Sequence, residues 1–214
     1  MTSKAAVNRI IETLKGIYPD GLCSLQYKKD YELLFAVRLS AQCTDERVNK
    51  VTPALYARFP TLESFAEADP AEVGEYIHSC GFYNGKARDI VACAQKLVNE
   101  YGGRVPGTME ELTGLPGVGR KTANLILGDV FGQPAYVCDT HCIRITGRLG
   151  ITDGSKDPLQ VERQLRERIP PKESSNFCHR MVLFGRDTCT ARSPKCEGCP
   201  LAKDCDTAKA ARRG

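Results

Sequence analysis

Leu115-Pro116-Gly117-Val118-Gly119-Arg120-Lys121-Thr122-Ala123 joins two stretches whose apolar residues recur at helical spacing. A Gly-x-Gly turn that runs straight into a second helix makes a hairpin of helices, with the amides of the turn uncovered by side chains. Those N–H groups and the positive end of the helix dipole favour an anion, so the turn reads as a phosphate cradle. The competing reading is packing, since many helix–helix turns use glycine only to let backbones approach.

Outward from the hairpin the period stays helical. Ile10, Ile11, Leu14 and Ile17 share one face; so do Leu33, Leu34, Val37 and Ala41, and then Val48, Val51, Leu55 and Phe59. Asp69-Pro70 opens a short helix that Gly81 is placed to end. Lys86 to Tyr101 forms a longer one, stopped at Gly102-Gly103. Further helices are expected near 108–113, 119–131, 139–149, 158–169 and 174–187, and no stretch alternates as a strand would. The expected fold class is all-α. Ala208 to Gly214 reads as a frayed basic tail. Gly132-Gln133-Pro134 is the best candidate seam in the chain, and Pro19-Asp20-Gly21 a weaker one.

With 214 residues, 42% of them hydrophobic, the chain can bury a core as one large domain or as two lobes of about 100 residues. A formal charge of +4 permits a nucleic-acid partner without demanding one, so any charge that binds DNA must be local. Met1 to Arg9 lacks the apolar core of an export signal, and no stretch approaches the roughly 18 apolar residues of a membrane span. The expectation is a cytoplasmic protein with no membrane partner.

Cys189, Cys196, Cys199 and Cys205 stand as C-x6-C-x2-C-x5-C on a stretch bent by Pro194, Gly198 and Pro200. Four soft thiolates on so short a segment suit one metal centre, either zinc or an iron–sulfur cluster. Four unrelated buried thiols fit poorly, because the surrounding sequence is polar. The other seven of the eleven cysteines cannot all pair, and they sit in apolar or helical segments. They read as free thiols of a reducing compartment.

Lys121 falls in the first turn of the hairpin's second helix, where the dipole disfavours a cation, and partial burial would act the same way. A neutral amine is what nucleophilic attack at carbon requires. The plain alternative is a solvated lysine or one that pairs with phosphate. Eighteen residues on, Asp139 in Val137-Cys138-Asp139-Thr140-His141 is either a helix cap or a catalytic carboxylate. His141, followed by Arg144 and Arg148 at helical spacing, reads as a residue facing DNA or a buried hydrogen-bonding residue rather than a base. His78 and His179 offer no partner motif.

Together L-P-G-V-G-R-K-T-A-N at 115–124, V-C-D-T-H at 137–141 and the four-cysteine run resemble the endonuclease III family. S-A-Q-C-T-D at 40–45 and G-F-Y-N-G-K-A at 81–87 extend the likeness over nearly the whole chain. The resemblance implies a bifunctional DNA glycosylase and abasic-site lyase of the helix-hairpin-helix superfamily, acting in base excision repair on oxidised or ring-saturated pyrimidines. It implies a two-lobed all-α fold with a DNA-binding cleft between the lobes. A helical bundle over 22–132 would contain the hairpin (about 108–131), and 1–21 plus 133–214 would form the lobe that carries the cluster. By the same likeness Lys121 is the catalytic lysine and Asp139 the catalytic aspartate, while Cys189, Cys196, Cys199 and Cys205 hold a [4Fe–4S] cluster.

A damaged base inside a duplex must be flipped out, and Gln42 and Phe82 match the positions that fill the gap. Phe82 stands where the family pattern leads to leucine, and core packing is its alternative role. Gly117, Val118, Gly119, Arg120, His141 and Arg144 complete the expected DNA contacts. The expected partner is double-stranded DNA carrying damaged pyrimidines or abasic sites, met at the nucleoid by a protein expected to be a monomer. Two other readings compete. A non-catalytic DNA-binding or redox-sensing iron–sulfur protein would show a damaged catalytic pair, whereas Lys121 and Asp139 both stand in intact motifs. An adenine-type glycosylase that uses only water has no need of the amine at 121.

Overall fold

Seven helices begin at a side chain that accepts a hydrogen bond from the first turn: Ser3, Thr44, Thr61, Asp69, Thr108, Asp139 and Asp157. The computed structural model describes residues 1–211, and no strand occurs among them. The α-helices, in order, are α1 (Lys4–Ile17), α2 (Asp30–Leu39), α3 (Asp45–Arg58), α4 (Leu62–Ala66), α5 (Pro70–Ile77), α6 (Tyr83–Tyr101), α7 (Met109–Thr113), α8 (Arg120–Asp129), α9 (Thr140–Leu149), α10 (Pro158–Arg168), α11 (Ser174–Asp187) and α12 (Asp206–Ala211). Short 3₁₀ turns occupy His78–Cys80 and Pro171–Glu173. None of these helices is long and apolar enough to cross a membrane.

The chain divides into two compact units, Met1–Leu22 with Gly132–Gly214, and Cys23–Phe131. In the second, α6 packs against α4 and α5, and α7 pairs with α8. Phe65 is fully buried in it, its ring 5.0 Å from that of Phe35 and 5.1 Å from that of Phe59, and Leu33, Leu55 and Ile90 of the same unit are fully buried too. In the first unit α11 packs on α9 and α1. Ile10, Leu14, Ile145, Leu165 and Met181 are fully buried there, which is the face their three- and four-residue spacing presents.

Two expectations are corrected. α6 begins at Tyr83 rather than Lys86, because Tyr83-Asn84-Gly85 carries no apolar stripe and yet completes a first turn on Phe82, whose carbonyl accepts from the Lys86 amide at 3.1 Å. The supposed tail from Ala208 is helical to Ala211, with Ala208 buried. Residues 212–214 of that expected tail lie outside the described residues.

Candidate active site

The hairpin forms as its glycines suggest. α7 ends at Gly114, whose carbonyl accepts from Lys96 Nζ at 3.1 Å, and Val118 closes the turn onto the Leu115 carbonyl at 3.2 Å. Gly117 adopts φ +73, and the turn lies over α2 and α6, where Leu34, Arg38, Asp89 and Cys93 line a shallow pocket with Pro116 and Val118. Gly119 caps α8 with no side chain over the helix end, and a Cβ there would meet nothing within 4 Å. The open amides beyond Gly119 are what an anion needs. Arg120 and Lys121 follow in the first turn, both exposed, so burial adds nothing at Lys121 to the effect of the helix end.

Asp139 is the N-cap of α9, its Oδ1 accepting from the Cys142 amide at 2.7 Å. The cap orients the carboxylate, which is half-buried. Behind it the Cys142 thiol, fully buried, is pushed well above its ordinary value by hydrogen bonds with Cys138 and Cys178 and by burial. Arg144 turns toward the cysteine loop, its Nη2 donating to the Cys189 carbonyl at 2.9 Å and lying 3.2 Å from His141 Nδ1, while the His141 ring lies against Gly185 of α11.

Gln42 and Phe82 stand apart in conformation. They are the two non-glycine residues with positive φ among those described, at 54 and 49, and both side chains are exposed, Phe82 by 73%. Core packing, the alternative considered for Phe82, is therefore excluded. Held out on bent backbone with its ring in water, Phe82 has the shape of a wedge.

Cys189, Cys196, Cys199 and Cys205 line one cavity, walled by Leu149, Phe184 and Ala208. Arg148 closes it. Its Nη1 donates to Cys189 Sγ at 3.3 Å and to the Thr190 carbonyl at 2.7 Å, and its Nη2 to the Ala191 carbonyl at 2.8 Å. The Cys205 thiol approaches the Arg148 carbonyl at 3.3 Å. Four convergent thiols in an apolar pocket, with a guanidinium over one sulfur, fit an iron–sulfur cluster of net negative charge.

Residues 35–171 match the model of the HhH-GPD superfamily of base excision DNA repair proteins, and 189–205 that of the iron–sulfur binding domain of endonuclease III. Endonuclease III of Synechocystis sp. is 47% identical over 210 residues, covering 98% of this chain and 95% of that protein. The chain belongs to the endonuclease III family. The Escherichia coli endonuclease III is 38% identical over 95% of the chain and 96% of its own length. Two solved endonuclease III–DNA complexes, one a trapped covalent intermediate and the other non-covalent, superpose with TM-scores of 0.92 and 0.93 at 41% identity, each over 100% of both chains. As a member of this family the protein is a DNA glycosylase and lyase of base excision repair that binds DNA and carries a [4Fe–4S] cluster.

Three features of these sites escaped the sequence. The Arg38–Asp89 pair under the hairpin, the Arg148 fork on the cysteine loop and the buried Lys86 all involve charges, which read as solvated surface until their partners are placed. Arg148 alone gave a signal, its helical spacing from His141 and Arg144.

Proposed function

We propose that this protein removes oxidised or ring-saturated pyrimidines from duplex DNA and then cuts 3′ to the resulting abasic site, with Lys121 as nucleophile. The observation that carries this reading is an exposed primary amine in the first turn of a helix whose open amides are fit to hold the neighbouring phosphate. Lys121 Nζ attacks C1′ and the glycosidic bond breaks, its electrons leaving with the base. The ring opens to an imine, which acidifies the C2′ proton; loss of that proton expels the 3′ phosphate as the C3′–O bond breaks. Water then hydrolyses the imine and frees the lysine. A hydroxyl nucleophile could form no such imine.

Asp139 takes the lysine proton or stabilises the positive charge growing on the sugar as the base departs. Gly117, Val118, Gly119 and Arg120 hold phosphate, with His141 and Arg144 contributing from α9. Gln42 and Phe82 fill the gap left by the flipped nucleotide, the amide bonding the orphaned base and the ring wedging the stack. Cys189, Cys196, Cys199 and Cys205 would hold the cluster, which supplies the fold of a loop that presents Arg192, Lys195 and Lys203, all exposed, to phosphates. The trapped covalent complex of an endonuclease III supports the imine route. The enzyme acts as a monomer in the cytoplasm, at the nucleoid.

A panel of duplexes tests the substrate, each with one thymine glycol, dihydrouracil, adenine opposite 8-oxoguanine, or an abasic site. Release of the two pyrimidine lesions and cutting of the abasic duplex, with the adenine left in place, is the expected pattern. Adenine release without strand cutting would contradict it.

A further inference from the structure

Lys86 is 1% exposed, and its Nζ donates to two main-chain carbonyls, Leu39 at 2.8 Å and Cys80 at 2.9 Å. Burying a lysine is costly, and carbonyl oxygens offset that cost only when their geometry is good. Burial does push the Lys86 ammonium below its ordinary pKa, against the opposite pull of Cys43 and Cys80.

The positions of the two carbonyls give this lysine a purpose. Leu39 is the last residue of α2, three before Gln42; Cys80 ends the 3₁₀ turn two before Phe82. Gln42 and Phe82 are the non-glycine residues in left-handed conformation among those described, a conformation that a side chain adopts only when its surroundings impose it. The Lys86 amide, in turn, holds the Phe82 carbonyl at 3.1 Å. One residue thus fastens the approaches to both exposed side chains.

We propose that Lys86 is a positioning residue: it ties the segment before Gln42 to the segment before Phe82, so that the two side chains enter the duplex as one preset unit. This rests on the reading above that Gln42 and Phe82 fill the gap. Lys86 touches neither DNA nor the reacting atoms in this account. Its effect is preorganisation, which spares the enzyme the ordering of two loops at the moment a nucleotide is extruded.

The test is a double-mutant cycle on kcat/KM for cutting a duplex with one abasic site, with circular dichroism and cluster absorbance as controls of folding. Lys86→Met removes both side-chain hydrogen bonds and keeps an unbranched buried chain. It should cost about tenfold in the parent enzyme and no more than about twofold when Gln42 and Phe82 are already alanine, because nothing is then left to position. Lys86→Arg, which keeps donors, should recover part of the loss. An equal loss in both backgrounds would overturn the proposal, as would full activity of Lys86→Met beside an impaired Gln42→Ala/Phe82→Ala enzyme, which would leave the gap-filling reading intact. Full activity of that double variant would instead sink the gap-filling reading and the proposal with it. If Lys86→Met does not fold, Lys86→Gln keeps one donating group and runs the same cycle with a smaller expected loss.

Discussion

Arg38 and Asp89 meet beneath the hairpin turn, with Nε and Nη2 both on Oδ2 at 2.7 and 2.6 Å, and Gly117 rests on them. A Cβ at Gly117 would lie 2.9 Å from Arg38 Cδ and Nε and from Asp89 Cβ, on backbone at φ +73. The glycine turn is thereby fixed to α2 and α6 from below.

Alanine at the two glycines of the turn should therefore give opposite phenotypes. Gly117→Ala adds a left-handed penalty to overpacking and should cost about 2–4 kcal/mol in urea denaturation. Gly119→Ala, at φ −97 with open space, should cost less than about 1 kcal/mol while weakening DNA binding, because its methyl obstructs the amides. Equal destabilisation by both would refute this division of labour.

Arg148→Ala removes three hydrogen bonds from the guanidinium to the cysteine loop, one of them to Cys189 Sγ. The expected cost is about 2–3 kcal/mol, with faster bleaching of the visible cluster absorbance under a chelator. Arg148→Lys cannot reach all three acceptors and should fall between. Unchanged bleaching in both would show that the fork does not protect the cluster.

Asp139 serves two ends that substitution separates. Asn keeps the cap on the Cys142 amide and should leave stability within about 1 kcal/mol, whereas Ala should lose about 1–2 kcal/mol. Both remove the carboxylate, and both should slow single-turnover base release by about 10²–10⁴-fold. A fully active Asp139→Asn enzyme would reduce Asp139 to a cap.

Burial and the neighbouring Asp187 push the Tyr18 phenol up from 10.0 to about 12, its hydroxyl donating to Asp187 Oδ2 at 3.0 Å. The native state thus holds its proton more tightly than the unfolded chain. The stabilisation is complete below pH 10 and is lost as the pH rises from 10 towards 12. Denaturation midpoints should fall across that window, and Tyr18→Phe should flatten the fall. An unaltered slope in the variant would remove Tyr18 from the account.

What the sequence allowed, and what it hid, divides along physical lines. α7, the glycine turn and α8 were readable because glycine spacing and apolar period are local signals, and the Asp139 cap was readable for the same reason. The first turn of α6 was not, since Tyr83, Asn84 and Gly85 leave the apolar stripe. α12 was missed because a short alanine-rich helix at a chain end shows little periodicity. The positive φ at Gln42 and Phe82 falls on residues that are not glycine, and although Gly81 marks a helix end it does not show that the bend continues into Phe82. The burial of Lys86 depends on two carbonyls distant in sequence from each other.

The central claim is that Lys121 is the nucleophile, and borohydride trapping tests it directly. Cluster-replete protein is incubated with a duplex carrying one thymine glycol or one abasic site, reduced, and resolved under denaturing conditions, with Lys121→Ala alongside. The account predicts a covalent protein–DNA complex on both duplexes that disappears in the variant, while salt-dependent DNA binding is kept. A complex that persists in Lys121→Ala, or no complex from the parent protein on either duplex, would contradict it.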